Sequence, residues 1–221
     1  MDLSLERIAL AAVPVILAIT LHEASHGYVA KLFGDRTAEM LGRVTLNPLK
    51  HIDPVGTLLV PGILLLMSRA LGGGFIFGWA KPVPVNFNNL RNPKRDMFWV
   101  AVAGPASNFV MALGWVALAI AVQPGGAWPS DGALFMAQAG IQINLVLMAL
   151  NLLPIPPLDG GRIAVSLLPG RASYALSRVE PYGLFIILAL LATGMLNTLM
   201  RPLLVAAQYL IGVIVAVFIG G

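Results

Sequence analysis

The chain has 221 residues, 58% of them hydrophobic and only 11% charged, with a mean hydropathy of +0.84. A soluble domain carries roughly a quarter charged residues, and one of this length could not hide so much apolar surface. Soluble globular and disordered classes are therefore excluded, which leaves a polytopic membrane protein. There is no cysteine, so disulfide frameworks, thiolate metal sites and a cysteine nucleophile are excluded too. The net charge of +4 does not point to nucleic acid, because no basic run exists. Eleven of the 14 basic residues fall in three connections between apolar runs: Lys31, Arg36, Arg43 and Lys50; Lys81, Arg91, Lys94 and Arg95; Arg162, Arg171 and Arg178. That is the positive-inside pattern of loops facing the cytoplasm.

The first apolar run covers 8–21 and continues as a helix through His22 to Val29. Its flank (Asp2, Glu6, Arg7) has no positive excess, so the N-terminus is placed outside and the helix runs inward. A signal peptide does not fit, since the flank is not basic and no cleavage site leads into a polar chain. Residues 27–53 form a polar inner connection, within which 42–48 alternates and predicts a short strand. The next apolar run, 55–67, is shorter than the ~20 residues a crossing needs. Pro61-Gly62 interrupts it, and a full crossing would put the basic stretch 81–95 outside. A re-entrant hairpin, or two thin passes, is predicted over 54–80.

The later runs are cleaner. Residues 97–122 span outward, 123–132 form a short outer loop, and 133–153 return inward. Residues 161–178 form an inner connection. A terminal pair, 182–196 and 203–218, is joined near 197–202. The predicted fold is an all-α polytopic membrane protein of five to six transmembrane helices, with a re-entrant or short β element between the first and next core helices. Residues 1–165 form the core and 166–221 the C-terminal helix pair.

The chemistry sits in the first span, at His22-Glu23-Ala24-Ser25-His26. Two histidines four apart share one helix face, so both imidazoles reach one ion. The pattern H-E-x-x-H belongs to zinc hydrolases, where the glutamate is the general base toward water. Glu and His inside an apolar span are costly without partners and a purpose. Zinc needs a third protein ligand and an open fourth position. His51, in the basic inner connection, reads as a solvated or interfacial histidine. Among the carboxylates, Asp159 follows the inward span 133–153 through Pro154-Ile155-Pro156-Pro157-Leu158, and so lies at the depth of the histidines. The prolines force an extended descent, and Gly160-Gly161 permits a sharp turn. Asp159 is thus either a metal ligand or the N-cap of a helix beginning near Arg162.

Three stretches resemble the site-2 protease family of intramembrane zinc metalloproteases: the histidine motif; Gly104-Pro105-Ala106-Ser107-Asn108; and Asn151-Leu152-Leu153-Pro154-Ile155-Pro156-Pro157-Leu158-Asp159-Gly160. They occur in the family's order over about 8–165, and the connections 42–56 and 78–86 look like its compact bacterial and archaeal subgroup. The resemblance implies that Asp159 is the third ligand, that one Zn2+ is held per chain, and that Asn151 lies near the scissile peptide. It also implies an active site within the membrane near the cytoplasmic face of a prokaryotic cell membrane. From the residues alone, Asn151 is either functional or an interhelical hydrogen bond. Asn144 reads as helix–helix glue. Gly104 and Asn108 read as close packing, with Asn108 bonding a neighbouring backbone.

The expected substrate is a transmembrane protein segment, surrounded by membrane lipid. It must unwind, and an unwound backbone in lipid needs partners, which a strand edge could supply. Two stretches offer that edge, 42–47 with Val44 and Thr45, and 81–87 with Val83 and Val85. No PDZ-like insertion or nucleotide-sensing domain is expected, so substrate choice falls to the membrane part, a homo-oligomer or an accessory presenting protein. Two rival readings make different demands on the sequence. An ion-binding transporter predicts repeat symmetry, and none is visible. A catalytically silent scaffold predicts loss of Glu23 or a ligand, and all four residues are present.

Overall fold

The structure, a computed structural model, describes residues 5–51, 53, 56 and 81–219. The re-entrant element predicted over 54–80 lies outside the described residues, apart from Gly56. The described chain is helical, with no strand among the described residues, and contains five stretches long and apolar enough to cross a membrane: Glu6–Leu32, Pro93–Val122, Asp131–Asn151, Gly170–Ala192 and Met195–Val217. The chain is an all-α polytopic membrane protein.

Helix α1 spans Leu5–Leu32. The short α2, Thr37–Met40, follows a turn at Gly34. Residues 42–47, predicted as a strand, fold into bends instead. The reason lies in their side chains, which compete for the backbone. Thr45 Oγ1 accepts from the amide of Asn47 at 3.1 Å, and Asn47 Oδ1 accepts from that of Leu49 at 3.1 Å. The Arg43 guanidinium donates to the carbonyl of Lys50. His51 is not solvated as expected but only 1% exposed, and its Nε2 donates to the carbonyl of Thr45 at 3.0 Å.

Residues 81–86 run extended to a 3-10 turn at Phe87–Asn89. Helix α3, Pro93–Val122, starts on a proline at its first turn, where the missing N–H costs nothing. The Asp96 carboxylate reaches back to accept from the Asn92 amide at 2.7 Å. Helix α4, Asp131–Asn151, is capped by Ser130, whose hydroxyl accepts from the Ala133 amide. The prolines after Asn151 end it, and α5, Asp159–Leu167, turns back beneath. Then come α6, Gly170–Ser177, α7, Gly183–Ala192, and α8, Met195–Ile219. The terminal connection therefore lies at Thr193–Gly194, where Gly194 takes φ +72°, and not at 197–202, since α8 runs through Pro202.

Helices α1, α3 and α4 pack on one another; α5 lies against α3, and α8 against α4. Small buried residues (Ala18, Ala101, Ala112, Ala137, Ala149) line these contacts, the usual way membrane helices bring backbones close. Ala112, Leu145 and Met148 meet Ala207 and Ile211 of α8 in one core cluster. Large apolar side chains such as Ile16, Val110, Val205, Leu210 and Val217 point outward. That is the arrangement lipid-facing helices need.

Candidate metal centre

Helix α1 carries His22 and His26 on the face turned to α3 and α4. The two helices run antiparallel: His26 meets the carbonyl of Val100, and His22 meets Asn108. Gly104 lies between them. A Cβ there would overlap His26 Nε2 and His22 Cε1, so only glycine lets α3 approach the imidazoles this closely. Asp159, the first residue of α5, brings its carboxylate in from below. It does not cap its own helix by a side-chain bond; Leu158 occupies that position. The turn is tight, since a Cβ on Gly161 would overlap the Pro156 backbone.

His22 Nε2 and Asp159 Oδ2 are 3.1 Å apart, His26 Nε2 and Asp159 Oδ2 3.3 Å, and the two Nε2 atoms 3.1 Å. All three residues are buried. Proton positions follow from the outer partners. A carbonyl only accepts, so His26 Nδ1 donates to Val100 O at 2.7 Å. Asn108 turns its amide nitrogen to Asn144 Oδ1 at 2.9 Å, so its Oδ1 accepts from His22 Nδ1 at 2.6 Å. Neutral imidazoles protonated at Nδ1 present bare lone pairs at Nε2. Two such nitrogens and a carboxylate oxygen therefore face one another, and Asp159 Oδ2 has no hydrogen-bond partner. Three buried acceptors converging in this way form the donor set that a metal cation takes. Zinc with arms of about 2.0–2.1 Å places tetrahedral neighbours about 3.3–3.4 Å apart, close to the spacings found. His22, His26 and Asp159 would fit a zinc ion.

Glu23 is half-buried beside this group, and its Oε2 accepts from the amide of Val83 at 2.7 Å. One turn on, Gly27 lets Val44 and Val83 close against α1; a Cβ there would lie 3.0 Å from Val44 Cγ2 and 3.2 Å from Val83 Cγ1. Asp35 holds the extended segment from its far end. The buried carboxylate accepts from the amide of Thr37 at 3.0 Å, its hydroxyl at 2.5 Å, the amide of Asn86 at 2.6 Å and the Asn89 side chain at 3.1 Å. Burial pushes its pKa up, but the bonds from Thr37, Asn86 and Asn89 outweigh this and hold it below the usual carboxylate range.

The remaining predicted residues divide. Val44 and Thr45 line a mainly apolar groove of about 450 Å³ with Leu21, Ala24, Ser25 and Tyr28. Val83 is buried with its amide on Glu23, and Val85 packs against the cluster of Ala30, Leu90 and Val100. The side-chain amide of Asn151 donates to the carbonyl of Leu147, in its own helix, at 3.0 Å. A second cavity of about 390 Å³, with Lys94, Arg162, Ser166 and Glu180 in its wall, reaches Gly161 near Asp159. Sequence reading missed the Val100 carbonyl and the Val83 amide, which no side chain announces. It also passed over Asp35, although Asp35-Arg36-Thr37 after a glycine carries the signal of a turn closed by its own side chain.

Residues 116–194 match a family model described as Peptidase family M50. A Bacillus subtilis (strain 168) protein provisionally named zinc metalloprotease YwhC is 38% identical over 200 residues, covering 89% of this chain and 86% of that one. The Mycolicibacterium smegmatis protein provisionally named zinc metalloprotease Rip2 is 33% identical over 185 residues, covering 82% of this chain and 66% of that one. No solved structure matches.

Proposed function

Because the chain belongs to peptidase family M50, the site-2 protease family, we propose that it is a zinc-dependent endopeptidase that cuts a peptide bond in or near the transmembrane segment of a membrane-protein substrate. The observation that carries this reading is the buried convergence of His22 Nε2, His26 Nε2 and Asp159 Oδ2, with Glu23 next along the helix. One zinc ion per chain, when bound, supplies Lewis acidity toward water and the scissile carbonyl. The chain's own residues supply the rest. His22, His26 and Asp159 hold the ion. The Val83 amide anchors Glu23 Oε2, which leaves Oε1 to take a proton from the attacking water and pass it to the departing amine.

Depth supports hydrolysis inside the membrane. His26 and His22 precede the end of α1 at Leu32 by six and ten residues, or about 9–15 Å at 1.5 Å per residue. A bilayer core is about 30 Å thick. The basic residues Lys31, Arg36, Arg43 and Lys50 beyond that end favour a cytoplasmic placement, in a bacterial or archaeal cell membrane. The cavity beside Gly161, with Lys94 and Arg162 in its wall, suits a water route from that side. The apolar groove at Val44 and Thr45 suits an unwound apolar segment. Thr45→Pro tests main-chain docking there: a folded variant that cleaves at the parental rate removes that part of the reading.

The deciding experiment is cleavage of a model transmembrane substrate in detergent by wild type and Glu23→Gln. The variant should keep stoichiometric zinc and lose about 10²–10⁴-fold in rate, the usual share of a general base. Zinc-loaded protein whose cleavage does not depend on Glu23 would refute the proposal.

A further inference from the structure

Asn144 takes no part in the chemistry above, yet it is fully buried on α4 and joined to a metal ligand two helices away. We propose that Asn144, acting through Asn108, is a positioning residue that fixes the tautomer of His22. The inference rests on the zinc reading of the site and deepens it.

The argument starts from a backbone carbonyl. Gly140 O can only accept, and Asn144 Nδ2 donates to it at 2.8 Å. Asn144 must therefore turn its Oδ1 toward α3, where it accepts from Asn108 Nδ2 at 2.9 Å. That same Asn108 nitrogen points at a second fixed acceptor, Ala18 O, at 3.4 Å. Asn108 Oδ1 is thereby left facing His22 Nδ1 at 2.6 Å. Every bond in the series has one permitted direction. The direction set at Gly140 ends by placing the proton on His22 Nδ1 and the lone pair on Nε2, where a metal needs it.

The two histidines solve the same problem differently. Either nitrogen of a neutral imidazole can carry the proton, and the outer partner decides which. His26 meets a carbonyl directly, at Val100 of the adjacent helix. His22 reaches carbonyls through side-chain amides: Ala18 O through Asn108 at the longer distance of 3.4 Å, and Gly140 O through Asn108 and Asn144 by shorter bonds that bridge α1, α3 and α4. The register of α4 against α3 thus becomes part of the metal site. Trp115 of α3 packs where a Cβ on Gly140 would sit, which brings the two helices together at the origin of the series. A plain interhelical hydrogen bond would tie α3 to α4 without setting the proton on His22.

The test uses the full chain in detergent and reads zinc affinity by chelator competition, the visible spectrum of the Co(II)-substituted protein, and the 15N signals of His22 in zinc-free protein. Wild-type His22 should be protonated at Nδ1. Asn144→Leu should bind zinc about 10–100-fold more weakly, the usual cost of losing such an outer partner, with a changed Co(II) spectrum. Asn144→Asp should stay within about threefold of wild type, because its neutral acid form keeps a donor for Gly140 and an acceptor for Asn108. Met148→Leu, one turn along the same helix, should change neither readout. If Asn144→Leu does not accumulate, Asn144→Ala takes its place. Equal zinc affinity for the Asp and apolar variants, or a wild-type His22 protonated at Nε2, overturns the proposal. A wild type that binds no zinc refutes the function reading instead, and the 15N measurement still decides the tautomer.

Discussion

Gly104→Ala puts the site's tolerances to a quantitative trial. The added methyl would lie 2.6 Å from His22 Cε1, where ordinary contact begins at 3.4 Å. The ring must then retreat by about 0.8 Å, or α3 must move away from α1 by as much. His22 cannot retreat freely, because Nδ1 is bonded to the fully buried Asn108, and His26 is tied to the Val100 carbonyl. A displacement approaching half of a ~2.0 Å metal–nitrogen bond is well beyond the ~0.2 Å that such bonds accommodate. Zinc affinity should fall by at least the 10–100-fold seen when ligand orientation is lost. Overpacking should cost a further 1–3 kcal/mol or so of stability in the zinc-free protein. The assay is chelator competition on detergent-purified protein, with a zinc-free melting curve beside it. Parental zinc affinity in a folded Gly104→Ala protein would refute the packing argument and, with it, the placement of α3 against the two imidazoles.

Other outcomes follow from the same geometry. Asp159→Asn exchanges the charged ligand for a neutral amide at an atom with no other partner; zinc occupancy should drop below detection in metal analysis while the helices remain by circular dichroism. Saturating zinc should raise the melting temperature of wild type by an amount that grows with the logarithm of free zinc, and raise that of Asp159→Asn not at all. Asp35→Asn removes acceptor capacity from donors including the Asn86 amide and should cost about 1–3 kcal/mol. Because the folded-state pKa of Asp35 is lowered, its contribution is present above the ordinary value near ~3.9 and fades as pH falls through the folded value. The gap between wild-type and variant melting temperatures should therefore be widest near neutrality and narrow below about pH 4. A gap that widens on acidification would contradict the bonding assigned to Asp35.

The residues that bear the chemistry were legible because lipid makes charge conspicuous. In a chain with ten acidic residues and three histidines, His22, Glu23 and His26 could be found by spacing, while topology narrows the carboxylates to Asp159 as either a ligand or a helix cap and the family resemblance chooses between them; the structure brings the side chains of His22, His26 and Asp159 together. The helix pattern was legible for the same reason. The errors have local causes. Residues 42–47 alternate like a strand, but Thr45, Asn47 and Arg43 spend their side chains on the backbone and bend it. The terminal join is predicted near 197–202, a stretch that ends on a helix-breaking proline, whereas the chain turns at Gly194 and α8 absorbs Pro202. Asn144 as helix–helix glue and Asn108 as a partner of a neighbouring backbone were legible, and both bonds are present; what the sequence hides is the direction in which the bonds run. Direction is invisible until the carbonyl that sets it is known.

The contact between Val83 and Glu23 has a consequence for whatever peptide lies beside it. Pro82 and Pro84 have no N–H to give, and the one between them is already committed to the carboxylate. Along 82–84 the backbone can therefore only accept. A neighbouring chain must bring its own donors, two residues apart as extended pairing requires. A substrate strand laid along this segment would therefore meet a one-way edge, which takes substrate amides and offers nothing to substrate carbonyls. A series of substrate peptides methylated at successive backbone nitrogens would expose this asymmetry as an alternating loss of binding, and an even response along the series would show that nothing pairs there.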